Sequence, residues 1–383
     1  MARIILIAAS AFGLEAVVRR ELQGLGFGRF NTFNGRVEFE AGVEDIPRVN
    51  LWLRAADRVL LKLGEFPAAD FDQLFEGAKA LFWEQWIPSE AKITVAVKSV
   101  KSRLAGARAN QSVVKKAVLD RLRAAGKAEI FPETGFEVVI QVSLLEDRAT
   151  VMIDTTGPGL NRRGYRVETG EVPLKETLAA ALVMLSFWNR DLPLIDPMCG
   201  SGTVLIEAAG IARNMAPGLR RSFASEHWPV LDPALWDKTR CAALRSALPP
   251  GGLKIFGYDC DPRRITNSKV NARRAGVDKD IVFEHRDVRD LRFDHPRGVI
   301  VTNPPYGVKL GDAADLAPVY SALNTALRDQ RGWSLGVITP DKSFPRHFKR
   351  GDPQRVRKLY NGALEVNYYQ YDAVRAGERA ARG

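Results

Sequence analysis

Four short apolar runs between residues 192 and 302 each end in a polar residue, and that repetition restricts the fold more than any other feature of the chain. Leu192-Pro-Leu-Ile195 runs into Asp196, and Lys254-Ile-Phe-Gly-Tyr258 into Asp259. Ile281-Val-Phe-Glu284 leads to Asp287, and Val299-Ile-Val-Thr302 into Asn303. Continuous apolar runs alternating with helical stretches suit strands that are buried on both faces. They predict an α/β fold with a mainly parallel sheet and helices on both sides. Ligands of such sheets sit outside the carboxyl ends of the strands, where these polar residues fall.

After the first strand comes a loop of Asp196, Pro197, Met198, Cys199, Gly200, Ser201, Gly202 and Thr203, then a helix from Val204 to about Ala212. Glycine lets the backbone approach a ligand closely, and a helix N-terminus offers free N–H groups. Alone, this is a nucleotide-cofactor loop that suits NAD or S-adenosylmethionine. No Gly-Lys-Ser/Thr ending makes it a phosphate loop, and the third glycine of a dinucleotide fingerprint is missing. Asp259 stands where a carboxylate accepts both ribose hydroxyls of an adenosine cofactor. It lies 63 residues beyond Asp196, so an insertion is expected around residues 222–248. Asp287 is placed to take the adenine amino group.

Asn303-Pro304-Pro305-Tyr306 is the element that points to a reaction. An aromatic or amide amine has its lone pair spread into the ring and is a poor nucleophile. The Asn303 side-chain oxygen and the Pro304 carbonyl each accept a hydrogen bond from such an NH2, which turns the nitrogen lone pair toward a methyl group. Neither proline presents a competing N–H, and Tyr306 is suited to stack on a base taken out of its helix. Alignment and hydrogen-bond electrostatics then carry the catalysis.

Before residue 157 the pattern differs. Residues 3–9 read as a strand, 14–25 as an amphipathic helix, 36–40 as a strand and 46–60 as a helix. A further helix is expected over 71–86, strands at 92–98, 137–144 and 148–154, and a helix over 111–122. Between Lys98 and Lys127 nine basic residues face the single acidic Asp120. Lys98, Lys101, Arg103, Lys115 and Lys116 are therefore read as phosphate contacts, since cations that neutralise a nucleic-acid backbone release its counterions. Arg162, Arg163 and Arg166, beside the hinge Gly157-Pro158-Gly159, are added to that set.

The net charge of +11 and pI near 9.6 agree with a polyanionic partner. Three scattered cysteines and four histidines form neither a disulfide framework nor a metal-ligand pattern, so no metal is expected and a reducing, cytoplasmic setting is. No apolar run approaches the ~20 residues of a membrane helix. The opening residues read as a buried first strand rather than a signal peptide.

Taken in order, Asp196 to Thr203, Asp259, Asp287 and Asn303 to Tyr306 resemble the class I methyltransferases that act on nucleobase amino groups. Pro173-Leu-Lys-Glu-Thr-Leu-Ala-Ala-Ala181, Asn161-Arg-Arg-Gly-Tyr-Arg166, Leu359-Tyr-Asn-Gly362 and Ala8-Ala-Ser-Ala-Phe-Gly-Leu-Glu15 are similar to a narrower group, the THUMP-domain methyltransferases. That group includes the bacterial 23S rRNA guanine-N2 methyltransferases. The resemblance implies a ferredoxin-like unit at 1–64, a THUMP RNA-binding domain at 65–156, a linker at 157–170 and a Rossmann-like methyltransferase domain at 171–383. It also implies S-adenosylmethionine as cofactor and rRNA as first-choice substrate, with tRNA guanine-N2 methylation or a non-catalytic assembly factor as alternatives. Val308-Lys309 departs from the Glu-Arg often found there in this group, which bears on the target contacts. Oligomeric state is not legible.

Overall fold

The computed structural model describes residues 3–127, 129, 131–167, 173–305, 308–309, 312–313 and 316–373. It divides into two compact units: Met1–Ser10, Val18–Leu160 and Arg221–Ala242 form the first, and Ala11–Val17, Asn161–Arg220 and Ala243–Gly383 the second.

The first unit is one seven-stranded sheet with helices. Its strands are β1 (Arg3–Ala9), β2 (Phe30–Phe33), β3 (Arg36–Gly42), β4 (Arg58–Pro67), β5 (Lys92–Val100), β6 (Glu137–Leu145) and β7 (Arg148–Asp154). Its helices include α1 (Glu15–Gly24) from Val18 onward, α2 (Ile46–Trp52), α3 (Phe71–Lys79) and α4 (Ala107–Ala124). The strand order is β2-β3-β1-β4-β7-β6-β5, and every neighbouring pair is antiparallel except β5 with β6. β4 pairs with β1 on one side and β7 on the other, so a single sheet runs from residue 3 to residue 154. β6 alternates as a half-buried strand should, with Val138, Ile140, Val142 and Leu144 inward. α4 buries Asn110, Val114, Ala117, Val118 and Leu122 at helical spacing. Its basic residues take the remaining surface.

The helix expected over 46–60 stops at Trp52, and β4 begins at Arg58. The Glu21 carboxylate accepts the N–H groups of Arg54 and Ala55 at 2.8 and 3.0 Å, which draws those donors out of any helix. Leu60 then pairs with Ile7 on β1 and Asp154 on β7. The helix expected over 71–86 likewise ends at Lys79, and only a 3-10 turn follows at Trp83–Gln85.

The second unit follows the predicted alternation. Its elements are α5 (Glu176–Leu185), β8 (Leu194–Asp196), α6 (Thr203–Ala212), the end of α7 (Pro233–Ser246), β9 (Ile255–Asp259), α8 (Pro262–Ala275), β10 (Ile281–His285), β11 (Arg297–Thr302), β12 (Val308–Lys309), β13 (Asp312–Ala313), α9 (Ala317–Leu327), β14 (Gly332–Thr339), α10 (Phe344–Phe348), β15 (Arg355–Asn361) and β16 (Leu364–Tyr371). The sheet order is β10-β9-β8-β11-β14-β16-β15. The first five strands are parallel, while β16 runs against both β14 and β15. β8 and most of β11 and β14 are buried continuously, as central parallel strands require. Beneath them lies a core that includes Ile195, Ile300, Tyr320, Trp333, Leu335, Phe344 and Tyr369.

The inserted segment has its own packing. Within the first unit, Trp228 meets Trp86 edge-on at 5.7 Å, and His227 stacks on Phe136 at 4.7 Å. Within the second, Phe12 of the early segment 11–17 meets Tyr360 edge-on at 6.1 Å.

Candidate active site

The strand order reverses at β8, whose neighbours are β9 and β11, and the ends of these three strands build the site. Such a switch point opens a crevice at the carboxyl edge of the sheet. Asp196 closes β8 and is 1% exposed. Its Oδ1 accepts from Thr302 Oγ1 at 2.6 Å and from the Met198 N–H at 3.2 Å. Burial pushes its carboxyl up to about 7, against the pull of those hydrogen bonds and with help from the Asp259 carboxylate.

From Asp196 the chain passes the buried Pro197 and Cys199 into the glycine loop. Burial raises the Cys199 thiol well above its ordinary range. The Cys199 N–H donates to the Tyr258 carbonyl at 2.8 Å, and the Gly200 N–H to Asp259 Oδ2 at 2.9 Å. Gly200 and Gly202 have φ of +54° and +80°. A Cβ at Gly202 would lie 3.0 Å from both Phe283 Cζ and Ser268 Cβ, so conformation and space both demand glycine there. At Gly200 the nearest outside atom to such a Cβ is Arg264 Nη1 at 3.6 Å, an ordinary van der Waals contact, so there the constraint is conformation and not space. Gly202 is also the N-cap of α6 and has no side chain to cap it. A helix N-terminus of this kind can offer its first-turn N–H groups to an anion.

Asp259 ends β9, buried, and also accepts the Asp261 N–H at 3.0 Å. Asp287 follows β10 and is half-buried. Its carboxylate receives the Arg289 N–H, Nε and Nη2 at 2.9, 2.8 and 2.8 Å, and that guanidinium holds it down at about 2. Asn303 follows β11, and its Oδ1 is buried with no hydrogen-bond partner among the described residues. Buried acceptors are rarely left this way. Pro304 is buried and Pro305 exposed, whereas Tyr306 lies outside the described residues. Val308-Lys309 pairs antiparallel with Asp312-Ala313.

Hydrogen bonds thus join Gly200 to Asp259, and Asp196 to Thr302, the residue before Asn303. Asp287 stands apart, engaged by its own arginine. Thr302 was missed in the sequence, although a polar residue closing the run Val299-Ile-Val was a usable signal.

Two residues expected to contact RNA do not face outward. Arg163 is 4% exposed, with its Nε 3.5 Å from Glu207 Oε1. Arg166 donates to Glu176 Oε1 at 2.8 Å and to Thr203 Oγ1 at 3.1 Å. A cation that is buried against a carboxylate has no phosphate to reach. Lys98, Lys101, Arg103, Lys116 and Arg162 are exposed. Lys101 lies 4.0 Å from Glu146 and Arg103 lies 3.1 Å from Asp147. Lys115 is half-buried and pairs with Glu133, and the Lys116 ammonium stands 5.6 Å over the Phe75 ring.

A parallel sheet with this order, closed by an inverted strand and carrying a glycine loop, an acidic strand end and Asn-Pro-Pro at the switch point, defines a class I methyltransferase of the S-adenosylmethionine-dependent type. Residues 163–370 match the RMKL-like methyltransferase domain, residues 5–60 the RlmL ferredoxin-like domain and residues 68–154 the THUMP domain. The chain belongs to the RMKL-like methyltransferase family, in the branch that carries ferredoxin-like and THUMP domains. YpsC of Bacillus subtilis (strain 168) is 42% identical over 373 residues, which cover 97% of this chain and 96% of that one. The ribosomal RNA large subunit methyltransferase K/L of Methylococcus capsulatus is 37% identical over 379 residues, covering 95% of this chain but 50% of that protein. The chain therefore spans about half the length of the K/L relatives it matches. SMU.472, crystallised in complex with SAH, superposes with a TM-score of 0.91 at 41% identity, covering 98% of this chain and all of that one.

Proposed function

We propose that this chain transfers a methyl group from S-adenosylmethionine to the exocyclic N2 amine of a guanine in RNA, with 23S rRNA the first candidate. The observation that carries the reading is the buried Oδ1 of Asn303 at the end of β11, which has no hydrogen-bond partner among the described residues. An amine hydrogen would satisfy it, and few other groups of a base present a donor of that kind.

The residues present fit the cofactor. The α6 N-terminus and glycine loop suit the methionine carboxylate, Asp259 the ribose and Asp287 the adenine amino group once Arg289 yields it. Pro197, Cys199, Ser201 and Thr203 shape the pocket wall. S-adenosylmethionine supplies an electrophilic methyl group when bound. The protein's task is to hold the amine: Asn303 Oδ1 and the Pro304 carbonyl take its two hydrogens, Pro305 stiffens the loop and Tyr306 stacks on the base. No strong base is required, since the nitrogen becomes acidic as it is methylated.

The domain assignment goes with this reading: ferredoxin-like at 1–64, THUMP at 65–156, a linker at 157–170 and the methyltransferase at 171–383. Lys98, Lys101, Arg103, Lys115, Lys116 and Arg162 remain as backbone contacts, which set affinity and not sequence choice. The relatives named for ribosomal RNA favour that substrate over tRNA.

The test uses purified protein, radiolabelled S-adenosylmethionine and separate rRNA and tRNA from cells lacking the gene, digested to nucleosides. Label recovered as N2-methylguanosine in rRNA supports the reading. Label in tRNA keeps the chemistry and overturns the substrate, label in another nucleoside overturns the target atom, and no label with no cofactor bound would favour a non-catalytic assembly factor.

A further inference from the structure

The arginine-rich segment before α5 turns its side chains onto the cofactor loop. Arg166 reaches four acceptors: Nε donates to Glu176 Oε1 at 2.8 Å, Nη2 to the Leu174 carbonyl at 2.9 Å and to Thr203 Oγ1 at 3.1 Å, and Nη1 to Ser201 Oγ at 3.5 Å. The next residue is held as well. The Val167 N–H donates to Asn271 Oδ1 at 3.0 Å, while Asn271 Nδ2 donates to the Ser201 carbonyl at 3.0 Å. Asn271 is 1% exposed, on α8. Just upstream, Tyr165 Oη donates to Glu207 Oε1 at 3.2 Å. Thr203 and Glu207 lie one turn apart on α6, so successive side chains of this segment grip one face of the helix that closes the loop.

The loop needs that support. Gly200 and Gly202 sit in left-handed conformations with no side chains to fix them, and the direction of the first-turn N–H groups follows from theirs. We propose that Arg166 is a positioning residue for the cofactor: together with Asn271 it sets the orientation of the Ser201–Thr203 peptides, and so of the N–H groups that receive the methionine carboxylate. The inference rests on reading the glycine loop as the S-adenosylmethionine site. The planar fork explains why arginine stands here, because it serves an anion, a carbonyl and two hydroxyls at once, whereas a lysine ammonium on a flexible stem holds no such geometry. Its charge is already offset by Glu176, so its part is geometric.

The experiment compares wild type, Arg166→Lys and Asn271→Asp by titration calorimetry with SAH, by melting of the free proteins, and by steady-state kinetics against S-adenosylmethionine and RNA separately. Wild type is expected to bind SAH; if it does not, the reading of the loop itself fails. Both variants are expected to bind SAH at least ten-fold more weakly, with the loss falling on KM for S-adenosylmethionine and not on kcat or on KM for RNA. Asn271→Asp keeps the acceptor for Val167 and sets an oxygen against the Ser201 carbonyl, so it carries the test should Arg166→Lys fold poorly. Unchanged SAH affinity in a variant that melts near the wild-type temperature would overturn the proposal. A raised KM for RNA alone would return Arg166 to the RNA-contact role.

Discussion

Thr302 Oγ1 donates a 2.6 Å hydrogen bond to the buried Oδ1 of Asp196 and so ties the end of β11 to the end of β8. The two strands are parallel neighbours, paired Val299 to Leu194 and Ile300 to Ile195, and the bond lies just past that register. It joins the strand that opens the cofactor loop to the strand that presents Asn303. Thr302→Val keeps the shape and removes the donor. The expected cost is about 1–3 kcal/mol, because a buried polar acceptor loses the closer of its hydrogen bonds and keeps the longer one from Met198. Denaturant unfolding measures it, and a variant as stable as wild type would show that the bond is redundant.

Asp196 should give the protein a pH-dependent stability. Its carboxyl is pushed up to about 7 by burial, while in the unfolded chain it titrates near 3.9, roughly the free value. Between those values the native state binds more protons than the unfolded one. Stability from this group is therefore intact below the unfolded value and falls as pH rises through about 7. Asp196→Asn keeps an acceptor for Thr302 and cannot ionise. Its stability relative to wild type should rise by a few kcal/mol between acid and mildly alkaline pH. A difference that stays flat across that range would mean the carboxyl titrates alike in the folded and unfolded states.

Removing the amine acceptor should strike catalysis and spare cofactor binding. Asn303→Ala is expected to lower kcat by about 10²–10³-fold, the range typical of a preorganised hydrogen-bonding group at a reacting centre. SAH affinity should stay within a factor of two or three, roughly the scatter of such measurements. Near-normal turnover would remove Asn303 from the mechanism.

Asp259→Ala should do the reverse. The carboxylate accepts the Gly200 and Asp261 N–H groups, and in the proposed reading it also takes the ribose hydroxyls. Losing hydrogen bonds to a charged group, each about 1.5–3 kcal/mol, should weaken SAH binding ten-fold or more. Calorimetry decides this, and unaltered binding would assign the ribose to another residue.

The exposed and the buried basic residues should separate in a salt titration. Replacing Lys98, Lys101 and Lys116 by glutamine is expected to weaken RNA binding and to flatten its dependence on log salt by about 0.7–0.9 per true contact. Arg163→Gln should leave the salt slope alone and destabilise the fold by about 3–5 kcal/mol, since it removes the cation beside the buried Glu207. A slope change in Arg163→Gln would show that this side chain reaches RNA after all.

The elements of the second unit could be read from the chain because their signals are local. An apolar strand, the polar residue that ends it and the glycines that follow lie within a dozen residues, and each carries its chemistry by itself. Signals that depend on distant partners misled. The run 46–60 has helical spacing throughout, yet Glu21 captures the N–H groups of Arg54 and Ala55, and Leu60 belongs to a strand. The cluster around residue 162 has the composition of a phosphate-binding stretch. Arg163 finds its carboxylate 44 positions later, on α6, and Arg166 turns into the loop at Ser201 and Thr203.

What the sequence determined by itself is the chemistry on offer: a glycine loop that follows a strand, an acidic strand end, and an amide beside two prolines. Each follows from backbone geometry or functional-group type, which travel with the residue. What only the tertiary structure decided is which charges stay in solvent and which become struts, because burial and pairing are properties of the neighbours that folding brings. The same arginine side chain is an RNA contact or a brace for the cofactor loop according to whether a glutamate lies buried beside it.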